Sequence, residues 1–359
     1  MFCVSDKVSG GERYSIDLLN GLSSIGWKTH LVGNENSGLL DSAANTEIHF
    51  ISTHRLGPKL GMRTALEIVS SWSKQVAEFK TILAKHPDAI LILQYKLEQL
   101  IWASLADPRP CVFLEHGPIP RGIKLPFIRS LYRRGIRRTV ATLAASKPAV
   151  LDLEYMGGKP ILILAGVGNA RREIALAGAA KERVRLSNLV KANVIGVYAG
   201  RITTAKGVLR AAQLIMESQD LGLIILGDGP QLPELKELIR GHPRVRYLGV
   251  SDDALTTIAA ADFSVLLTQD SGEGRPLFAV ESLAVDTPII GLKTSQAMVD
   301  LQEEFSDNTV RLLPEISLEH LMNALGEGHL EVCSDVNTWA DAAEIASELI
   351  LTSTSRSRQ

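Results

Sequence analysis

A chain of 359 residues, 45% hydrophobic and 22% charged, can bury sizeable cores, and its length favours two domains over one. A formal net charge of −2 gives no overall field that would draw in nucleic acid or a membrane. Cys3, Cys111 and Cys333 are far apart and lack metal-ligand spacing, no run approaches a membrane span, and the start has no long apolar leader segment, which together point to the cytoplasm.

Residues 1–4 fit a short first strand, 5–12 a loop, and the next residues a helix through Ile16, Leu18, Leu19 and Leu22. Gly10-Gly11 at that strand-to-helix turn would let backbone amides approach a phosphate closely, although such pairs also serve tight turns alone. Residues 29–32 and 47–52 read as strands, 66–84 as a long amphipathic helix, and 89–93 as a short apolar strand. The strand at 111–114 ends in Glu115-His116-Gly117-Pro118. Its carboxyl end is where open parallel sheets bind ligands, so His116 is a candidate site residue, with a loop-capping histidine as the alternative.

Residues 121–138 carry Arg121, Lys124, Arg129, Arg133, Arg134, Arg137 and Arg138 with no acidic residue, and Ile128, Leu131 and Tyr132 at roughly helical spacing. A basic amphipathic helix fits a membrane surface or an anionic acceptor; a solvated basic face is the plainer reading. Strands at 140–145 and 161–164 close the first half, and the charged stretch 171–191 reads as a linker. Strands at 193–199, 223–226 and 245–248 then alternate with helices at 232–240 and 255–260.

The stretch 264–291 organises the second half. An apolar strand at 263–267 leads into a polar loop, then Pro276 at a first helical position, then Leu277, Val280, Leu283 and Ala284 at helical spacing. A helix N-terminus offers free amides and partial positive charge, so the backbone of residues 274–278 is a candidate anion seat. Glu273 and Glu281 would flank it as acceptors from hydroxyls on either side of a phosphate. A final helix over 336–351 has apolar Trp339, Ala342, Ile345, Ala346 and Leu349, a stripe that must pack, and the domain junction is open to it. The expected organisation is α/β, with two doubly wound, Rossmann-like domains facing a central cleft: 1–168, a linker at 169–192, 193–335, and a terminal helix at 336–352.

Five landmarks occur in order: Gly10-Gly11, Ala-Gly-Arg-Ile-Thr-Thr-Ala-Lys-Gly at 199–207, Leu-Gly-Asp-Gly-Pro at 226–230, Val-Arg-Tyr-Leu-Gly at 245–249, and Glu273-x7-Glu281. With them the chain, most clearly after residue 193, resembles the retaining glycosyltransferases of family 4, glycosyl transferases group 1, which have the GT-B fold. The resemblance implies a metal-independent hexosyltransferase-type enzyme that moves sugar from a UDP- or GDP-sugar to an acceptor hydroxyl in polysaccharide or glycoconjugate synthesis, with no cofactor.

It also implies roles. Arg201 and Lys206 would hold the diphosphate and neutralise the leaving group. Glu273 would meet donor-sugar hydroxyls, Glu281 the ribose, and Gly274, Arg275, Pro276, Leu277 and Phe278 the diphosphate and sugar through their amides. Gly10 and Gly11 would close on the same diphosphate, His116 would approach the C6 hydroxyl, and the base would lie beside 245–250. Arg275 and Pro276 depart from the family's aromatic and small residues, so Arg275 stands either as an added cation for an unusual donor or as a solvent-facing side chain. Acceptor choice is expected in the loops at 32–46, 53–63, 94–98 and 117–125. The 121–138 run would favour a lipid-linked acceptor and peripheral contact with the cytoplasmic membrane face. Two alternatives remain, another GT-B sugar-phosphate enzyme such as a phosphorylase and a degenerate transferase-like partner subunit.

Overall fold

The computed structural model describes residues 1–2, 10–33, 46–50, 62–105, 107–164, 166–251, 253–269, 274–326, 336 and 338–356, with 50, 62–71 and 355–356 described by backbone alone. The chain divides into unit 1, Met1–Ala165 with Trp339–Gln359, and unit 2, Gly166–Thr338.

In unit 1 strands and helices alternate: α1 (Gly10–Ser24), β1 (Thr29–Gly33), β2 (Thr46–Phe50), α2 (Met62–Lys85), β3 (Leu91–Leu93), α3 (Lys96–Ser104), β4 (Cys111–Glu115), α4 (Pro126–Arg138), β5 (Ala141–Ala144), α5 (Lys147–Tyr155) and β6 (Pro160–Leu162). β1 pairs with β2, and β3-β4-β5-β6 form a second ladder, every pairing parallel. Phe2 bridges in parallel to both Val32 and Leu93 and so joins the two ladders. The spatial order is β2-β1-Phe2-β3-β4-β5-β6. The chain therefore starts mid-sheet and winds outward both ways, which puts a topological switch point between Phe2 and β3.

Unit 2 repeats the plan with α6 (Asn169–Leu189), β7 (Val194–Ala199), α7 (Val208–Glu217), β8 (Leu221–Leu226), α8 (Leu232–Leu238), β9 (Val245–Gly249), α9 (Ala254–Ala259), β10 (Phe263–Val265), α10 (Leu277–Ala284), β11 (Ile289–Leu292), α11 (Gln296–Glu304), β12 (Val310–Leu313) and α12 (Leu318–Gly326). Its parallel sheet runs β12-β11-β10-β7-β8-β9, with the switch point between β7 and β10. β8 is buried along its whole length, as helices on both faces of a parallel sheet require. The fold is GT-B.

Three expectations need correction. The stretch expected as a linker, 169–192, is α6 with its cap, packed on α9 within unit 2. Its charges pin the helix: Arg183 pairs with Asp262 at 2.6 Å, Glu182 accepts from Thr257 Oγ1 at 3.0 Å, and Arg172 reaches Asp286 at 3.3 Å. A stretch rich in Ala, Leu, Glu, Arg and Lys has high helix propensity, and charge alone is no mark of a linker.

The expected first strand is seen as the Phe2 bridges, since residues 3–9 lie outside the described residues. The terminal helix, α13 (Trp339–Arg356), starts later than expected and is rotated: Trp339, Ala342, Ala343, Ala346 and Ile350 are buried, while Ile345 is exposed. α13 packs on α1 within unit 1, with Trp339 edge-on to Tyr14 at 4.9 Å and Trp27 Nε1 donating to Ser347 Oγ at 2.9 Å. No helix among the described residues is long and apolar enough to cross a membrane.

Candidate functional site

In unit 2 the loops leaving the carboxyl ends of β7, β8 and β9 are stitched together by backbone. Gly200 N donates to Leu226 O (3.1 Å), Gly227 N to Gly249 O (2.8 Å), Ile202 N to Asp228 O (2.9 Å) and Gln231 N to Ile202 O (3.1 Å). Landmarks separated along the chain, 199–207, 226–230 and 245–249, thus share one sheet edge.

Lys206 ends a single 3₁₀ turn, Thr204–Lys206, and Gly207 follows in the left-handed region at φ 68° before starting α7. A Cβ on Gly207 would lie 2.9 Å from the carbonyl carbon of Leu267 and nearer still to its oxygen. The Lys206 turn is therefore seated directly on the chain leaving β10. Arg201, in the same loop, is exposed, and its carbonyl accepts from Tyr198 Oη at 2.7 Å. The Tyr198 ring lies 5.8 Å from that of Phe278 on α10. Two contacts therefore tie the Arg201–Lys206 loop to the β10–α10 stretch at the switch point.

α10 sits on β10 through the buried Ser282 Oγ, which donates to Ser264 Oγ at 2.7 Å. Pro276 is the residue before the helix, and its carbonyl accepts from Ala279 N and Val280 N at 3.1 and 3.2 Å. The amides of Leu277 and Phe278 then lie in the first turn, where no intrahelical acceptor exists, and the helix dipole adds to their positive potential. A helix N-terminus of this kind is able to seat an anion, and the Arg201–Lys206 loop is tied to the same stretch. Gly274 precedes it, and Glu281 is half-buried on the first turns of α10. Glu273 lies outside the described residues.

Arg275 is neither solvent-facing nor an unpaired cation. Its guanidinium is bidentate to Glu304 on α11, at 2.5 and 2.9 Å, and it lies over the Phe305 ring. Its side chain is 9% exposed. The partner lies 29 positions away, so no local pattern could reveal it.

In unit 1, Gly10 and Gly11 are the first residues of α1 and not part of a preceding loop. Gly11 lies against His116: a Cβ there would be 3.5 Å from the imidazole Cδ2. His116 Nε2 is 2.7 Å from Gln94 Oε1. The Gln94 amide nitrogen donates to Phe2 O at 3.2 Å, so its oxygen must face the imidazole and Ser15 Oγ. His116 therefore carries its proton on Nε2 and keeps Nδ1 as an acceptor. Burial lowers its pKa to about 4, so the ring is neutral at ordinary pH. Tyr14 packs edge-on to it at 5.0 Å. In the first turn of α1, buried Glu12 accepts from Tyr95 Oη at 2.6 Å.

Ser15 and Glu12 were not foreseen as site residues, and Gln94 and Tyr95 were foreseen only as part of an acceptor loop. Only the position of Gln94 and Tyr95 just past a parallel strand could have marked them. Residues 94–98, expected as an acceptor loop, are instead spent internally. Lys96 pairs with buried Glu115, which also accepts from Gln99 Nε2 (2.9 Å) and Tyr132 Oη (2.6 Å). Among the described residues, the group able to hold a metal ion includes none of these site residues.

Residues 193–327 match the family model of the glycosyl transferases group 1. Among curated relatives, an exopolysaccharide phosphotransferase of Streptomyces coelicolor is 32% identical over 106 residues, covering 29% of this chain and 11% of that protein. The N-acetyl-alpha-D-glucosaminyl L-malate synthase of Bacillus anthracis is 25% identical over 126 residues, covering 34% of this chain and 30% of that protein. The chain thus spans less than a third of the length of either. Among solved structures, HepE of Anabaena in complex with UDP and glucose is similar over 99% of this chain and 96% of its own, with a TM-score of 0.69 at 17% identity. Fold, ordered landmarks and family match agree: this is a chain of GT-B fold whose residues 193–327 match the family model of the glycosyl transferases group 1.

Proposed function

We propose that the protein is a retaining, metal-independent glycosyltransferase that moves a sugar from a UDP- or GDP-sugar to an acceptor hydroxyl. The observation that carries this reading is the joining of the Arg201–Lys206 loop to the α10 N-terminus, through Gly207 on Leu267 and through Tyr198 between Arg201 and Phe278. Two cations and a helix N-terminus at one switch point suit a diphosphate better than any neutral ligand. HepE, of the same fold, was solved with UDP and glucose, which supports this class of donor.

In this reading Arg201 and Lys206 bind the diphosphate and neutralise the charge that grows on it as its bond to the sugar breaks. The Leu277 and Phe278 amides share that charge. Glu281 accepts from ribose hydroxyls and Glu273 from sugar hydroxyls. The acceptor attacks the anomeric carbon on the face the diphosphate leaves. The departing phosphate oxygen takes the acceptor proton, so configuration is retained without a protein nucleophile. His116, neutral with Nδ1 as acceptor, is suited to a sugar hydroxyl such as that on C6. Arg275, being paired with Glu304, contributes backbone alone.

Calorimetric titration with UDP and with GDP tests the donor assignment. One of the two binds, and Lys206→Ala weakens it at least about tenfold, as loss of one charge-assisted contact does. No binding of either nucleotide to the folded wild type overturns the assignment.

A further inference from the structure

Four side chains outside the site described above converge on one face of the β1–β2 pair in unit 1. β1 and β2 are paired so that His30 is opposite Glu47 and Val32 opposite His49. Side chains alternate along a strand, so His30, Glu47 and His49 project from one face. His86, in the turn that follows α2, covers that face, with its ring centroid 4.3 Å from that of His30 and 4.6 Å from that of His49. His30 starts β1 and His86 precedes β3, whereas His116 follows the carboxyl end of β4. The two groups therefore share no residue and lie on different strands of the sheet.

The four side chains each offer a ligand atom, and these atoms all lie within 4.8 Å of one another. His30 Nδ1 is 3.2 Å from His49 Nε2 and 3.4 Å from Glu47 Oε2, and His49 Nε2 is 3.6 Å from Glu47 Oε1. In a tetrahedral zinc site, metal–ligand bonds of about 2.05 Å put neighbouring ligand atoms about 3.3 Å apart. The His30–His49 edge and, for either Glu47 oxygen, one further edge thus already have nearly that length. A hydrogen-bonded histidine cluster needs no such convergence, and it should satisfy its members. Here the Nε2 of His86 is shielded from solvent and makes no hydrogen bond.

We propose that His30, Glu47, His49 and His86 form a binding site for one divalent transition-metal ion of the Zn2+ type. Three imidazoles and one carboxylate suit Zn2+ over Mg2+ or Ca2+, which take oxygen ligands. Four protein ligands leave no open position for a substrate, so the role is structural: the ion ties β1, β2 and the His86 turn together.

The test uses the full chain, free of any histidine tag, stripped with chelator, dialysed against Zn2+ and analysed for metal. The proposal expects one zinc per chain, tetrahedral visible absorption with Co2+ that Zn2+ abolishes, and an apparent Tm raised by about 5–10 °C in saturating Zn2+. His49→Gln with His86→Gln removes the zinc, the Co2+ spectrum and the Tm shift. Substoichiometric zinc in the folded wild type, or full zinc retained in the folded double variant, overturns the proposal. Should the double variant not fold, Glu47→Gln on the exposed rim replaces it: at least about tenfold weaker zinc binding supports the proposal, and unchanged affinity overturns it.

Discussion

Replacing Gly207 by Ala, beside a control replacement of Gly241 by Ala, separates backbone strain from the contact that seats the Lys206 turn. Both glycines have a left-handed backbone, at φ 68° and 70°. Around Gly241 nothing lies within 4 Å, whereas a Cβ on Gly207 would meet the Leu267 carbonyl well inside contact distance. A non-glycine residue in that conformation costs about 1–2 kcal/mol, partly offset by alanine's stiffer unfolded chain, so Gly241→Ala should lose about 1 kcal/mol. Gly207→Ala must also push two backbones apart by on the order of 1 Å, which adds about 1–3 kcal/mol. Urea denaturation of both variants measures the difference, and nucleotide calorimetry measures its functional cost. The displaced turn carries Lys206, so Gly207→Ala should bind UDP or GDP at least about tenfold more weakly, with Gly241→Ala near wild type. Equal destabilisation in the two variants, or unchanged nucleotide affinity in Gly207→Ala, would refute the seating of this turn on the end of β10.

Burial raises the Glu98 pKa from 4.5 to about 7, so its carboxyl is favoured protonated in the fold. Stability is then lost as pH rises from 4.5 to about 7, by roughly 3 kcal/mol in all, and stays reduced above that. Glu98→Gln should be the more stable protein at pH 8 and nearly equal to wild type at pH 5; a thermal-melt difference independent of pH would contradict this. His116, whose pKa is lowered to about 4, should contribute no acid limb to turnover between pH 5 and 8. His116→Asn should lower turnover without changing the profile's shape there, and a wild-type limb near pH 6.5 that vanishes in the variant would overturn the neutral assignment. Phe127 and Leu125 are 83% and 58% exposed, beside the exposed Arg121, Arg134 and Arg137, while Lys124 and Arg138 are spent on Asp152 and on the carbonyls of Leu105 and Asp107. Flotation with anionic vesicles at low salt should therefore carry the protein, and Phe127→Ser should release it; equal flotation of both would remove Phe127 from the contact.

Periodicity and strand-end position made the alternating elements readable, because short apolar runs such as 221–226, bounded by turn residues, fit buried parallel strands. α3 is harder to read because it is short and its buried residues mix Glu98 and Gln99 with Leu97, Ile101 and Trp102. α6 was hidden because its charges bond to distant partners such as Asp262 and Asp286. At the site, Arg201, Lys206 and residues 274–281 were legible as motifs. The pairing of Arg275 with Glu304 and the grip of Gln94 on His116 were not, since each joins residues that only the fold brings together. The histidine cluster depends on the β1–β2 register, which the sequence does not display.

The most direct test of the glycosyltransferase assignment is hydrolysis of a panel of UDP- and GDP-sugars in the absence of acceptor, followed by release of the free nucleotide. The account predicts slow turnover of one donor, unchanged by added inorganic phosphate, and at least about a hundredfold lower in Lys206→Ala. Release of nucleotide from no donor, or equal rates in wild type and Lys206→Ala, would contradict it.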